Sequence, residues 1–191
     1  MYYQPCNEDI VLKVTQDQRQ ELANFYRQIE QRAYRMAMIE TRRSSDALDL
    51  VQDAMESLMK RYASRPSAEW RALFYKILQN RIRDWHRWSG LRTRLHISKP
   101  DSEEFTEQDH TIASEELTPI EQADQDYSMD RLQLALTQLS FRQRQAVLLR
   151  VWEGFYVEET AHIMKCSSGS VKTHLSRALS ALKKLLDQND E

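Results

Sequence analysis

Glycine, proline and cysteine are scarce in this chain of 191 residues, which contains three glycines, four prolines and two cysteines. A protein of many strands needs glycine and proline for its turns, so their scarcity disfavours that class and favours a mostly helical chain. No apolar run approaches the roughly 20 residues that a membrane-spanning helix needs. The sequence also has no glycine-rich phosphate loop, and the spacing of serine, histidine and aspartate identifies no catalytic set.

The first ten residues, MYYQPCNEDI, lack the basic and then apolar pattern of a secretory signal. We therefore expect a cytoplasmic protein in which Cys6 and Cys166 are reduced thiols. His162 and Cys166 are four residues apart, as two zinc ligands can be, but no second pair completes such a site. The sequence thus predicts neither a metal nor a cofactor.

Charge is distributed unevenly along the chain, although the formal net charge is only −2. Residues 1–99 carry 18 basic and 12 acidic side chains, residues 100–130 carry 11 acidic and no basic ones, and residues 131–191 carry 9 basic and 6 acidic ones. Basic ends around an acidic centre indicate nucleic acid as a partner, which the net charge conceals. The acids of the centre mix with serine, threonine and glutamine, a composition typical of a flexible linker.

Hydrophobic periodicity predicts an all-α protein of two small helical domains, 1–95 and 128–188, joined by an acidic linker over 96–127. The predicted helices cover residues 15–40, 45–62 (with Ser45 as N-cap), 68–88, 129–139, 142–152, 157–164 and 168–186.

The second predicted helix has an acidic face. Asp49, Asp53 and Glu56 lie opposite its apolar side, on which we place Leu48. These acids could form a metal cluster, a solvated face or a docking surface. Hard-cation sites usually draw on a loop or on several elements, so the metal interpretation is the weakest.

The third predicted helix has a cationic face. Lys76, Asn80, Arg83 and Arg87 recur at i, i+4, i+7 and i+11, with Asp84 beside them. Trp85 and Trp88 alternate with these cations, and aromatic residues next to arginines suit single-stranded bases as well as a phosphate backbone. An ordinary solvated face is the alternative. Arg81 points into the apolar arc, and the pattern does not indicate what satisfies it.

The last two predicted helices have the form of a helix-turn-helix. A short helix, a break at 165–167 and a longer helix with Ser167 as N-cap are what that motif requires. Short hydroxyls and cations, suited to base edges and phosphates, lie opposite the apolar seam of the final helix. They are Lys172, Thr173, Ser176, Arg177, Ser180 and Lys184. A helical hairpin with a solvated face is the alternative.

Together these motifs resemble those of an extracytoplasmic-function (ECF) sigma factor, the compact branch of the sigma-70 family of bacterial RNA polymerase subunits. Residues 46–53 (DALDLVQD) are similar to the polymerase-docking segment of sigma domain 2. Residues 73–87 (LFYKILQNRIRDWHR) resemble the helix that melts and reads the minus-ten promoter element. Sigma domain 4 is matched by residues 139–144, 153–154, 159–161 and 169–178.

The resemblance implies three sets of site residues. Those implied to dock on the polymerase are Asp46, Asp49, Leu50 (expected to be exposed), Gln52 and Asp53. Those implied to contact the minus-ten element are Arg61, Lys76, Asn80, Arg83, Asp84 and Arg87, with the loop 61–67 holding a flipped base. Those implied to contact the minus-thirty-five element are Ser167, Gly169, Lys172, Thr173, Ser176 and Arg177.

The function implied is that of a transcription initiation factor that binds core RNA polymerase and promoter DNA, both duplex and single-stranded, and is not itself an enzyme. An anti-sigma factor or a Ser/Thr kinase is a further candidate partner, and no membrane insertion is expected. The acidic linker would thread a polymerase channel that otherwise holds RNA, or serve only as a solubilising spacer. The alternatives are a helix-turn-helix regulator acting without polymerase docking, and an enzyme that uses the carboxylate face.

Two residues depart from the family pattern. Leu48 stands where the docking segment usually has an acid, and we hypothesise that phosphorylation of Thr41, Ser44 or Ser45 supplies the missing negative charge. Lys165 occupies a position in the helix-turn-helix turn where a small or apolar residue is common.

Overall fold

The computed structural model of the chain describes residues 16–94, 129 and 131–187. The chain divides into two compact units, Met1–Ser98 and Lys99–Glu191, each with its own core. All the secondary structure in the described ranges is helical, which confirms the predicted fold class. The segment predicted as an acidic linker, 96–127, lies outside them. None of the helices described is both long and apolar enough to span a membrane.

The first unit contains three helices that pack on one another: α1 (Gln16–Thr41), α2 (Ser44–Tyr62) and α3 (Ser67–Arg94). Each begins within one residue of its predicted start, and α3 continues past its predicted end at 88. The largest side chains of the shared core are those of Met36, Leu58, Trp70, Phe74, Tyr75, Leu78 and Ile82. Their spacing on each helix is the periodicity from which the helices were predicted.

The corner between α1 and α2 differs from the prediction. Helix α2 begins at Ser44 with Arg43 as its N-cap, so the assignment of Ser45 as N-cap is wrong. The chain turns instead through Arg42, whose φ of 55° is left-handed, and the Arg42 amide donates to the Met38 carbonyl. The Thr41 hydroxyl accepts a hydrogen bond from the Arg43 amide and donates one to the Arg43 carbonyl. These bonds close the corner, and the N-cap of α2 lies two residues before the predicted one.

Helix α2 is rotated relative to the sequence interpretation. Leu48 is 45% exposed and Leu50 is buried, so the expectations of a buried Leu48 and an exposed Leu50 are both wrong. The buried stripe consists of Ala47, Leu50, Val51, Ala54 and Leu58. The two alanines let α2 approach its neighbours closely and so decide which side faces the core, whereas the sequence interpretation weighted only the larger apolar residues.

Hydrogen bonds from two aromatic side chains join the helices of the same unit. The Tyr26 hydroxyl donates to the Met55 carbonyl over 2.7 Å, joining α1 to α2, and burial raises the pKa of Tyr26 to about 12. The Trp70 indole donates to the Tyr62 carbonyl over 3.1 Å, so the last turn of α2 is held by the first turn of α3.

The second unit contains helix α4 (131–138), α5 (Phe141–Val147), α6 (Val157–Met164) and α7 (Ser168–Asp187). Helix α5 begins at a capping box between Ser140 and Gln143, and it continues as a wider π-helical turn, Leu148–Trp152. The single helix predicted over 142–152 therefore consists of two kinds of turn. The core is formed by residues from all these elements, among them Leu136, Leu148, Leu149, Phe155, Ile163, Met164 and Val171.

Arginines satisfy the backbone carbonyls at three helix C-termini of this unit. Buried Arg144 donates through Nη1 to the carbonyls of Leu136, Thr137 and Leu139, at 3.1 to 3.4 Å, where α4 ends. Arg142 donates to the Met164 carbonyl at the end of α6 over 2.7 Å, and Arg131 to the Leu186 carbonyl near the end of α7 over 3.0 Å. Because the last carbonyls of a helix have no partner within it, these bonds replace a C-terminal cap.

The turn between α6 and α7 carries a second left-handed residue. Lys165 has φ 54° and ψ 52°, and the Cys166 amide donates to the Ala161 carbonyl across it. The left-handed region costs a residue with a Cβ atom roughly 1–2 kcal/mol, which glycine avoids. The Lys165 side chain is exposed, so nothing in the core requires it.

Replacing Arg144 by methionine is expected to destabilise the second unit by about 2–3 kcal/mol, because buried carbonyls lose their donor while the packed stem is retained. The measurement is native-state hydrogen exchange of the α5 and α7 amides in the full chain. Exposed Arg177→Met is the matched control and should change stability by less than about 0.5 kcal/mol. Equal effects of the two substitutions would contradict the assigned role of Arg144.

Lys165→Gly is expected to stabilise the second unit by about 0.5–1 kcal/mol, because glycine adopts the left-handed conformation without steric cost. Hydrogen exchange of the α6 and α7 amides measures the change. Lys165→Ala, which removes the charge but keeps a Cβ, should give no such gain. If the alanine variant is stabilised as much as the glycine variant, charge rather than backbone conformation is responsible.

Candidate nucleic-acid interfaces

Helix α3 gives its apolar half to the core and leaves its polar half on the surface. Asp84 and Arg87 are exposed, and Lys76, Asn80 and Arg83 are half-buried. Arg83 Nη1 donates to Asn80 Oδ1 over 3.3 Å, and Arg87 Nη1 lies 3.8 Å from Asp84 Oδ1. The predicted minus-ten residues of this helix thus form one continuous strip in which amide, carboxylate and guanidinium groups order one another.

Arg81 does not enter the core, although the helical pattern points it there. Its Nη2 donates to Ser57 Oγ over 3.2 Å, and its Nε lies 3.9 Å from Asp53 Oδ2. Both partners belong to α2. The guanidinium therefore lies on the surface of α2, next to an acid of the predicted docking face.

The two tryptophans near the end of α3 differ in their environments. The half-buried Trp85 donates through its indole to Asp46 Oδ2 over 3.2 Å, which joins α3 to the start of α2. His86 beside it contacts the fully buried carboxylate of Glu40 over 2.8 Å, joining α3 to the end of α1. Trp88 is 65% exposed. Of the pair that the sequence suggested for base stacking, Trp88 is accessible and Trp85 fastens the helix to the unit.

The loop after α2 is short and largely exposed. Arg61 is exposed at the end of α2, and residues 64–67 are exposed as well. Arg65 forms an ion pair with Glu69 at 3.9 Å, and the Arg65 amide donates to the Tyr62 carbonyl. The Tyr62 carbonyl accepts a second hydrogen bond from the Trp70 indole. Both bonds hold the backbone of the loop in place at the start of α3.

The acidic face of α2 contains four of the five predicted docking residues. Asp49, Gln52 and Asp53 are exposed, and Asp46 is half-buried. Leu50 lies in the core, whereas Leu48 is exposed beside Asp49. The sequence interpretation therefore missed Leu48 as a surface residue, and the spacing of Ala47 and Ala54 is the signal that could have identified it.

The three candidate phosphorylation sites are not equivalent. Thr41 is buried, and its hydroxyl closes the corner between α1 and α2. Ser44 is exposed, with its hydroxyl 3.0 Å from the Tyr34 hydroxyl, and Ser45 is exposed. An acceptor hydroxyl must reach the active site of a kinase, so only the two serines are accessible without opening the corner.

Helices α6 and α7 form the predicted helix-turn-helix. The Ser167 hydroxyl accepts from the Ser170 amide over 3.1 Å, which confirms Ser167 as the N-cap of α7. The apolar seam of α7 consists of Val171, Ala178 and Leu182, which are buried, with Leu175 and Leu185 half-buried at its edge. The Arg142 guanidinium on the Met164 carbonyl fixes the end of α6 at the turn.

The opposite face of α7 presents the predicted minus-thirty-five residues to solvent. Lys172, Thr173, Ser176 and Arg177 are exposed, as are Ser167 and Gly169 near the start of the helix. Thr173 Oγ1 donates to the Gly169 carbonyl over 3.0 Å. A Cβ atom added at Gly169 would meet only Ser167 Oγ, at 3.8 Å, so the fold itself does not require glycine there.

Within the residues that the structure describes, no three His, Cys, Asp or Glu side chains come close enough to hold a metal ion. The pairing of His162 with Cys166 thus gains no third ligand in this part of the chain.

Comparison with known proteins gives two family matches, sigma-70 region 2 over residues 23–90 and sigma-70 region 4 over residues 129–182. The RNA polymerase sigma-E factor of Streptomyces antibioticus is 31% identical over 150 residues, which span 76% of this chain and 73% of that protein. The RNA polymerase sigma factor SigV of Bacillus subtilis (strain 168) is 27% identical over 159 residues, spanning 82% and 86% of the two chains.

A solved structure, the sigma factor RpoE of Bartonella quintana in complex with the anti-sigma factor NepR, matches with a TM-score of 0.57 and 25% identity and covers 86% of this chain and 97% of that one. The region 2 match falls on the three helices of the first unit, and the region 4 match ends within α7. The chain belongs to the sigma-70 family, in its extracytoplasmic-function group of promoter-specific transcription initiation factors.

Proposed function

We propose that this initiation factor docks on core RNA polymerase through α2, reads and opens the minus-ten element with α3, and binds the minus-thirty-five element as duplex with α7. The observation that carries the proposal is the division of α3 into an apolar side, on which Trp70, Phe74, Leu78 and Ile82 are buried, and a strip of amide, carboxylate and guanidinium groups on the surface. The apolar side is taken up by the core, so contacts with a partner come from the polar strip. Trp88 at the end of the strip adds a surface on which a base can stack.

On α3 the contacts to DNA come from Lys76, Asn80, Arg83, Asp84 and Arg87, with Arg61 at the nearby loop 61–67. Guanidinium groups bind phosphates and base edges, and the amide of Asn80 can pair with the exposed edge of an unstacked base. Capturing a base in the loop offsets part of the few kcal/mol that unpairing costs and favours sequences that melt easily.

On α7 the contacts are short polar side chains beside two cations. Lys172 and Arg177 suit phosphates and guanine edges, whereas Thr173 and Ser176 are small enough to lie within a major groove. Ser167 and Gly169 lie where the backbone amides of the helix start point outward, an arrangement that suits a phosphate. Because a Cβ fits at Gly169, a requirement for glycine would come from the DNA and not from the fold.

On α2 the docking residues are Asp46, Asp49, Gln52 and Asp53. The exposed Leu48 takes the place that the sequence interpretation gave to Leu50, so the docking surface combines carboxylates with one apolar contact. Such a surface favours a partner that is cationic and partly apolar.

Three further parts of the proposal follow from this role. The polymerase supplies the catalytic chemistry, so the chain is not an enzyme, and it acts in the cytoplasm where the polymerase is. The acidic segment 96–127 occupies a polymerase channel that otherwise holds RNA. An anti-sigma factor is a candidate regulator, as the NepR complex of the Bartonella quintana protein illustrates, and Ser44 and Ser45 are candidate sites for a Ser/Thr kinase.

The proposal is tested by run-off transcription on genomic DNA fragments with purified core polymerase and the full chain, mapping RNA 5′ ends by sequencing. The expected result is a set of discrete starts that are absent with core polymerase alone and share two upstream elements. A helix-turn-helix regulator acting without the polymerase would instead bind a palindromic site and give no new starts.

The double variant Lys172→Ala/Arg177→Ala is expected to reduce initiation at the mapped promoters about tenfold or more, since each lost base or phosphate contact costs roughly 1–3 kcal/mol. Initiation is measured by single-round transcription. Lys183→Ala, also an exposed cation and three turns from Lys172 on the same helix, is the control and should have little effect. A loss with Lys183→Ala as large as with the double variant would indicate general electrostatics instead of specific contacts.

Arg87→Ala is expected to reduce initiation about tenfold on duplex DNA and less on a template whose bubble is already unpaired, since one charge-assisted contact that helps to separate the strands is lost. Permanganate reactivity of unpaired thymines measures opening on the duplex, and single-round transcription measures initiation on both templates. Arg32→Ala, an exposed arginine on α1, is the control. Equal impairment on both templates would assign Arg87 to reading of the open strand rather than to melting.

A further inference from the structure

Most of the carboxylates on the exposed side of α2 already have a partner within the protein. Asp46 accepts from the Trp85 indole, Asp53 lies beside Arg81, and Glu56 pairs with Lys60 one turn away. Asp49 forms no hydrogen bond or ion pair with any described residue. The acidic face is therefore less anionic than its sequence indicates, because cations neutralise Asp53 and Glu56.

Arg81 is the cation that reaches this face from another helix. Its Nε lies 3.9 Å from Asp53 Oδ2, and the hydrogen bond from Nη2 to Ser57 Oγ holds the guanidinium in that place. The side chains of Arg81 and Asp53 are 42% and 55% exposed, so the pair lies on the surface where a partner can contact it.

A partner that recognises carboxylates on α2 must bring cations or N–H donors. Such groups are repelled by the Arg81 guanidinium, and Asp53 can bind them fully only if it exchanges Arg81 for them. An ion pair this exposed contributes little to stability by itself. Its main effect is on the electrostatic potential of the docking surface.

We propose that Arg81 is an affinity-setting residue of the polymerase-docking surface, which acts by neutralising Asp53 and so weakens the binding of core polymerase. The inference rests on the proposed function of α2. It makes this chain a weaker competitor for polymerase than the acidic segment 46–53 alone suggests, and it compounds the loss of negative charge at Leu48. Arg81 belongs to α3, so a single substitution outside the docking helix can change the affinity for core polymerase.

The test is a titration of core polymerase with labelled full-length chain at low salt, for the wild type, Arg81→Met, Arg81→Lys, Asp53→Asn and the double variant Arg81→Met/Asp53→Asn. Methionine keeps the apolar stem, so the thermal unfolding of each variant should match the wild type and confirm its folding. The expected result is that Arg81→Met lowers Kd about two- to fivefold, the range of an exposed ion pair. Arg81→Lys keeps the charge and should remain within about twofold of the wild type.

Two further comparisons isolate the mechanism. In the Asp53→Asn background the Arg81→Met substitution should lose its effect, because the carboxylate through which Arg81 acts is absent. Raising the salt concentration should shrink the difference between wild type and Arg81→Met, since the shorter Debye length screens the pair. Lys60→Met is the matched control: Lys60 is 37% exposed and pairs with Glu56 outside the docking set, so its loss should leave Kd nearly unchanged.

Tighter binding by Arg81→Met that persists in the Asp53→Asn background, or that Lys60→Met reproduces, would show a general effect of net charge and overturn the inference. Unchanged or weaker binding by Arg81→Met would overturn it as well. These outcomes are distinct from failure of the proposed function, in which the wild-type chain itself does not bind core polymerase.

Discussion

Every helix ends with carbonyl groups that have no partner inside it, and a chain with three glycines has few residues suited to the usual glycine cap. In the second unit arginine provides the solution, most completely at Arg144, which binds three carbonyls at the end of α4. The same interaction at Arg142 sets the end of α6 and with it the geometry of the turn that presents α7. The geometry of the helix-turn-helix therefore depends on arginines that bind its own backbone and are not among the residues proposed to contact DNA.

This use of arginine changes how the charge of the second unit is interpreted. Four of the nine basic side chains of residues 131–191 bind backbone carbonyls: Arg131, Arg142, Arg144 and Arg150. The remaining five, at Lys165, Lys172, Arg177, Lys183 and Lys184, are exposed. The cations available to a phosphate backbone thus lie in the turn and along α7, the helix that we propose reads the DNA groove.

Periodicity was sufficient to locate the helices and the helix-turn-helix, because the large apolar residues of α1, α3 and α7 follow the helical repeat closely. It was insufficient where small residues determine which side of a helix is buried, or where contacts with another helix determine the position of a side chain. Ala47 and Ala54 set the rotation of α2 and moved Leu48 outward and Leu50 inward. The position of Arg81 depends on Ser57 and Asp53, which belong to another helix and are invisible to a pattern within one helix. Trp85 and Trp88 have similar surroundings in the sequence. They differ in the structure because the Trp85 indole donates to Asp46, which lies on another helix.

The wide turn Leu148–Trp152 also sets the register of the chain that follows it. A π-helical turn holds about one residue more than an α-helical turn. Deleting one residue there would restore the regular helix but rotate everything after it by about 100° relative to α5. Glu153 and Phe155, both buried, would then leave their places in the core. We therefore expect this segment to tolerate substitution of its exposed Val151 far better than any change in length.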